Sequence, residues 1–268
     1  MKQKTFRFSY LFLGIVLAVM YLPIILLVVY SFNESKISSV WGGFSFKWYQ
    51  QLFQDEQMFE ALWNSIVLGV LSSVCAAVLG TLGAFGMSKI KCRANHVMEY
   101  LVTLPIMIPE IILAMVFLAF FSLLGLPFGM TTLVLGHTAF CVPYVFMLVK
   151  ASLVGMDTSL AEAARDLGAT EVQVFRDITL PLVAPAIASG MVLSFAMSFD
   201  DVIISLFVTG VNVNTLPIRV YTQIKTGVTP EINALCTLML AATLVLVAIS
   251  AVIGRKKPNI NEQQKENI

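Results

Sequence analysis

Three carboxylates stand where a carboxylate is costly. Glu110 lies inside the apolar stretch LPIMIPEIILAMV, and Asp200 and Asp201 lie inside LSFAMSFDDVIISLF. Ionisable side chains at membrane depth are rare, expensive to desolvate, and by default candidates for a functional pathway. No Lys or Arg occurs within any of the six long apolar runs of the chain, so nothing inside those runs offsets the negative charge. A passage bearing uncompensated carboxylates attracts a cation and repels an anion. Pro105 and Pro109 flank Glu110. Prolines inside a span free backbone carbonyls, which is tolerated where the helix is covered by protein or lines a cavity. An inward-facing Glu110 fits this, and so does a simple kink. Two further arrangements stay open at this level. Glu110 can hydrogen-bond His137 in the fourth run, and Asp200 and Asp201 can sit shallow enough to be solvated; only one of two adjacent helical positions points squarely at a pathway.

The elements that must position these groups are membrane spans. The 268 residues are 58% hydrophobic and only 12% charged, with a mean hydropathy of +0.85, whereas soluble domains carry about a quarter charged residues. A bilayer core of about 30 Å needs about 20 helical residues, and six runs qualify: 10–32, 62–87, 97–124, 132–149, 183–208 and 234–253. The first run follows a basic start, yet it is long and ends at SFNES without a small-x-small cleavage site, so it is expected to be an uncleaved anchor. Positive charge is retained on the cytoplasmic side. Lys2, Lys4, Arg7, Lys89, Lys91, Arg93, Lys150, Arg165, Arg176, Arg255, Lys256, Lys257 and Lys265 fall on one side of this arrangement, against Lys36, Lys47, Arg219 and Lys225 on the other. Both termini are therefore expected in the cytoplasm.

A net charge of +1 gives no reason to expect nucleic acid as a partner. Cys75, Cys92, Cys141 and Cys236 stand singly, without metal-ligand spacing, and read as small apolar residues. The segment 33–60 holds Trp41, Trp48 and Tyr49 among Gly and polar residues, a composition that suits aromatic anchoring at a membrane interface. With no internal repeat or linker, residues 1–268 are expected to form a single helical membrane domain.

Between the fourth and fifth runs lies a polar island, SLAEAARDLGATEVQVFRDITLP, within a cytoplasmic loop spanning 150–182. Its own chemistry reads helix, turn, helix. Ser159-x-x-Glu162 fits a capping box, and Leu160, Ala163, Ala164 and Leu167 form an apolar stripe at helical spacing. Gly168 sits where a left-handed cap ends the helix. A second helix starts at Thr170 with Gln173 three residues on, carries Val172, Phe175 and Ile178, and is expected to stop at Pro181. The stripe has no cover within a loop, and Ala163 and Ala164 allow a partner backbone to approach closely.

Glu162-Ala163-Ala164, three residues, Gly168, nine residues, Ile178, one residue, Leu180-Pro181 resembles the EAA-x3-G-x9-I-x-LP signature of permease subunits of bacterial ABC importers. The wider chain, through YLPI, SFN, GFSFKWY, EAARDLGA, SFDDVI, SLFVTG, LPIRVY and GVTPEINAL, is most similar to the C-type permease subunits of spermidine/putrescine importers. The resemblance implies an all-α integral membrane protein with six transmembrane helices of the type I ABC importer fold, in the bacterial inner membrane. It implies that the island, through Glu162, Ala163, Ala164, Gly168, Ile178, Leu180 and Pro181, docks on a separate ATPase. It further implies a B-type permease, two ATPase copies and an extracytoplasmic polyamine-binding protein as partners, with Glu110 and Asp200 or Asp201 meeting the ammonium groups in passage and Trp48 near the outer mouth. Where the family pattern implies Asp, Glu110 keeps the charge with a longer reach. The chain has no G-x-x-x-x-G-K-[ST] and no Gly-Lys pair, so ATP and Mg are expected on the partner and no cofactor or metal on this chain, which is not an enzyme. Relatives for iron, thiamine or an amino-phosphonate share the island, so the motif does not choose the cargo. An ion-coupled secondary transporter would use membrane carboxylates without an exposed helical hairpin.

Overall fold

The computed structural model describes residues 2–37, 40–89, 95–157, 159–211, 213–227 and 229–255, with side chains omitted at 2–9, 226, 242–243 and 245–255. Lys91, Arg93, Lys256, Lys257 and Lys265, on which part of the charge bias rests, lie outside the described residues, as does Cys92. The described chain is helical, and its extended pairing among those residues is an isolated antiparallel bridge between Asn33 and Phe44. It divides into two compact units, Met1–Glu56 with Thr222–Ile268, and Gln57–Tyr221.

The first unit contains α1 (Lys2–Tyr30), α2 (Lys47–Leu52), the end of α11 (Leu216–Thr226) and all of α12 (Pro230–Arg255), and α12 packs on α1 and α2. From Tyr10 to Tyr30, α1 is apolar on all sides and none of its residues is buried, the pattern of a helix solvated by lipid.

The second unit is built around α6 (Met130–Val154), against which α3 (Glu56–Lys89), α4 (Asn95–Met107) and α9 (Leu180–Asp200) pack, while α5 (Glu110–Leu123) packs on α10 (Ile203–Val208). Between bilayer helices there is no water to expel, so close backbone approach through small residues carries the packing. A Cβ added at Gly80 on α3 would meet Val145 Cβ at 2.9 Å and Phe146 N at 3.0 Å, and one added at Gly190 on α9 would meet Val145 Cα at 3.2 Å. Glycine on both neighbours thus lets α3 and α9 close on the same turn of α6.

Among the described residues, four helices are long and apolar enough to cross a membrane: Tyr10–Tyr30, Glu56–Lys89, Met130–Val154 and Glu171–Asp200. The third expected run is a bent pair, α4 and α5, turned by 106° at Pro109, which makes a fifth crossing only if the pair is one span. Ile108 precedes a proline and so avoids helical dihedrals, and Pro109, at φ −53° and ψ 130°, serves as the cap of α5. The sixth expected run falls in α12, whose described apolar part is Pro230–Ala241. The fifth run is also interrupted: α9 ends at Asp200, Asp201 is extended at φ −69° and ψ 127°, and a short α10 resumes at Ile203. An expected span of 183–208 is therefore corrected to a helix plus a broken end.

At the other end of α9, Pro181 does not stop the preceding helix. α8 (Glu171–Val174) runs through a π-helical turn, Phe175–Thr179, into α9. The Leu180 N–H donates to Phe175 O, five residues back. This wider register accommodates the missing N–H and the ring of Pro181, which would clash with a carbonyl four residues back in a regular α-helix.

Candidate functional site

The two breaks in the second unit meet at one cleft of about 710 Å³, within the range that holds a small organic ligand. Pro105, Ile108 and Glu110 reach it from the α4–α5 bend, Asp200 and Asp201 from the end of α9, and Phe140 and Tyr144 from α6. Among the described residues, no Lys or Arg lines it. Glu110 and the adjacent pair Asp200 and Asp201, ninety residues apart in sequence, are thus brought to one cleft.

The adjacent aspartates divide their work. Asp200 is exposed towards the cleft. Asp201 is 6% exposed, and its oxygens are already engaged: Oδ1 accepts from Ile204 N–H (3.1 Å) and Oδ2 from Ser205 N–H (2.8 Å), with His137 Nε2 at 3.3 Å from Oδ2. It caps α10, satisfying N–H groups that would otherwise be orphaned at a helix start. His137 therefore bonds Asp201, correcting the expected alternative of a His137 to Glu110 bond. Asp201 is also not in the shallow, solvated position considered from sequence.

Trp48 belongs to the first unit, on α2. It is 4% exposed, its Nε1–H donates to Asn33 O at 2.6 Å, and Lys47 Nζ lies 5.3 Å from the ring centroid. That burial corrects the expectation of an interfacial anchor at this position, whereas Trp41, half exposed, fits one. Trp48 lines a separate cavity of about 330 Å³ with Lys36, Lys47 and Glu231.

The island forms the hairpin expected from its spacing. α7 (Ser159–Asp166) ends at Gly168, which has φ +87°, with Ala169 N–H donating to Ala164 O (3.0 Å), a left-handed closure. Thr170 and Gln173 form a reciprocal capping box: Thr170 N–H donates to Gln173 Oε1 (2.8 Å) and Gln173 N–H to Thr170 Oγ1 (3.4 Å). The other expected cap differs. Ser159 is already the first residue of α7, and its N–H donates to Asp157 Oδ1 at 2.9 Å, which holds the Asp157 carboxyl below its usual range.

One face of the hairpin is packed and the other is free of intramolecular cover. Ala161 and Val174 are buried, and Phe175 lies 4.3 Å from Phe85 of α3, centroid to centroid. Leu160, Leu167 and Val172 are 50%, 89% and 74% exposed, and Glu162 and Ala163 are exposed with them. Ala164, Ile178 and Leu180 are half-buried at its edge.

A joint that the sequence did not suggest fixes this hairpin. Glu171 receives Lys89 Nζ from the end of α3 (2.8 Å) and Arg165 Nε from α7 (2.5 Å). These two cations hold the Glu171 carboxyl down at about 2, against an ordinary 4.5. Lys89 is 82 residues away in sequence, so no local spacing announces the pair. Because the folded value is depressed, the joint is intact above the ordinary value and is lost only as pH falls from about 4.5 towards 2. Glu171→Gln is accordingly expected to raise the proteolytic susceptibility of the hairpin by about two- to fivefold, exposed pairs being weak, and by the same factor at every pH from 5 to 8; a pH-dependent difference between the two proteins would contradict the assignment.

Comparison with known proteins places these features. Residues 76–255 match the family model described as "Binding-protein-dependent transport system inner membrane component". The chain is 40% identical over 245 residues to the spermidine/putrescine transport system permease protein PotC of Haemophilus influenzae, covering 91% of this chain and 95% of the relative. It is 40% identical over 230 residues to the putrescine transport system permease protein PotI of Escherichia coli K12, covering 83% and 82%. In fold it is similar to a chain of a bacterial ABC transporter involved in the import of the acidic polysaccharide alginate, with a TM-score of 0.72, 16% identity and coverage of 96% and 97%.

Proposed function

The chain belongs to the binding-protein-dependent transport system inner membrane component family, and on that premise we propose that it is the permease subunit through which an ATP-driven importer passes polyamines into the cytoplasm. The observation that carries this reading is the cleft of about 710 Å³ bearing Glu110 and Asp200 with no cation on its walls. A polyamine at neutral pH is a flexible chain with ammonium groups at its ends and methylenes between them. Carboxylates balance the ends by short-range Coulomb attraction, Phe140 and Tyr144 offer ring faces to ammonium, and Ile108, Met197 and Ile203 offer apolar contact to the methylenes. The polyamine names of the relatives support the same cargo.

In this reading residues 1–268 act as one permease domain with six crossings of the type I importer arrangement, α4–α5 counting as one and α12 as the last. Its partners are a B-type permease, two ATPase subunits that carry ATP and Mg, and an extracytoplasmic polyamine-binding protein. The uncovered face of the hairpin, Leu160, Glu162, Ala163 and Leu167, docks on the ATPase, while Ala164, Gly168, Ile178, Leu180 and Pro181 set its shape. Charge bias puts the hairpin and both termini in the cytoplasm.

Proteoliposomes holding the assembled complex test the function: ATP-dependent uptake of labelled putrescine is expected, and its absence refutes the cargo. Orientation has its own test. A Thr170→Cys variant is expected to react with an impermeant thiol reagent only from the cytoplasmic side, and labelling from outside would invert the topology.

A further inference from the structure

His137 is wholly buried, and both nitrogens of its ring are bonded. Nδ1 lies 2.8 Å from Ser198 Oγ, near the end of α9, and Nε2 lies 3.0 Å from Ser205 Oγ on α10 and 3.3 Å from Asp201 Oδ2. The ring, carried by the continuous α6, therefore spans the interruption between α9 and α10. Ser198 passes the connection on to Ser72 Oγ of α3 at 3.0 Å. A polar side chain buried among helices costs stability unless its atoms are bonded, and an apolar residue of similar size would fill the space. What packing alone cannot do is join two helix ends across a break by directed bonds.

The helix geometry shows the consequence. Ser194, Ser198 and Asp201 follow one another at spacings of four and three residues and are all buried towards α6, so they share a face. Ala196, Met197 and Asp200 fall on the side that lines the cleft. Turning Asp201 inward obliges Asp200 to turn outward.

Resting on the polyamine reading, we infer that His137 is a positioning residue. By tying Ser198 to Ser205 and facing Asp201 it fixes the α9–α10 break, holds Asp201 largely buried in the cleft wall with its oxygens engaged, and sets the separation of Asp200 from Glu110. That separation selects the length of dication that is carried. His137 itself touches no cargo. Groups that aim a contact from behind act through distance, and a displacement of the aimed group by about 1 Å changes rates by up to about a hundredfold.

The test uses the full complex in proteoliposomes with His137→Gln, which keeps one donor near Asp201 and loses the bridge, and Ser198→Ala, which removes only the Nδ1 contact. KM for putrescine and for spermidine is measured alongside the amount of inserted protein. The expected result is a change of about tenfold in the ratio of the two KM values, larger than any change in kcat, that disappears when Asp200→Asn is added. An unchanged ratio with only a lower inserted amount, or the same shift in the Asp200→Asn background, overturns the inference. A wild-type complex that takes up neither amine refutes the cargo reading instead, and this proposal with it.

Discussion

Glu110→Gln and Asp200→Asn are each expected to lower ATP-dependent polyamine uptake by about ten- to a hundredfold while the complex assembles at its normal level. Hydrogen bonds to charged groups contribute about 1.5–3 kcal/mol, and each 1.4 kcal/mol is a factor of ten, so loss of one ammonium contact in the cleft reaches that range. The substitutions are isosteric and remove negative charge from a wall where Glu110 stands in the field of Asp200 and Asp201, so nothing in the packing opposes them. Asp201→Asn is expected to behave differently. Its carboxylate accepts from Ile204 N–H and Ser205 N–H and faces His137, and weakening buried hydrogen bonds to a charged group costs about 1.5–3 kcal/mol each. The loss should appear as less inserted protein more than as altered affinity. Initial uptake rates normalised to membrane abundance separate the two behaviours; unchanged uptake in both Glu110→Gln and Asp200→Asn would assign these carboxylates to structure alone.

The second large effect concerns the hairpin. Gly168→Asp is expected to leave the protein inserted and the cleft intact while reducing both uptake and cargo-stimulated ATP hydrolysis by about tenfold or more. A Cβ at Gly168 meets nothing within 4 Å, so crowding is not the cause. The carboxylate is the main cause, since negative charge is unfavourable at a helix C-terminus, and the backbone at φ +87° adds the smaller strain that Asp, like Asn, meets in the left-handed region. Both act on the closure that sets α7 against α8. Gly168→Asn, a residue that tolerates this region, should retain much of the activity. Normal values of both rates in Gly168→Asp would refute the docking role of the hairpin.

The hairpin was the most legible part of the chain because its determinants are local. Gly168 and the Thr170–Gln173 box are separated by few residues and are satisfied by their own backbone. Where the reading failed there, a competitor lay nearby: Asp157 took the cap expected of Ser159, and a π-turn absorbed Pro181. The cleft was legible in its charges and in the Pro109 bend, but not in the way it divides Asp200 from Asp201. That division depends on His137, 61 residues from Ser198 and 68 from Ser205, and within the run 183–208 no Pro or Gly at the break marks an interruption imposed by tertiary bonds. The Lys89–Glu171 joint was invisible for the same reason.

The most direct measurement is competition for putrescine uptake by proteoliposomes holding the complete complex, using a panel of unlabelled solutes. The account predicts that di- and polyamines compete in the wild type, that a monoamine of similar length competes far less, and that Asp200→Asn narrows this gap. Competition by an anion or an uncharged solute, with no effect of polyamines, would contradict it.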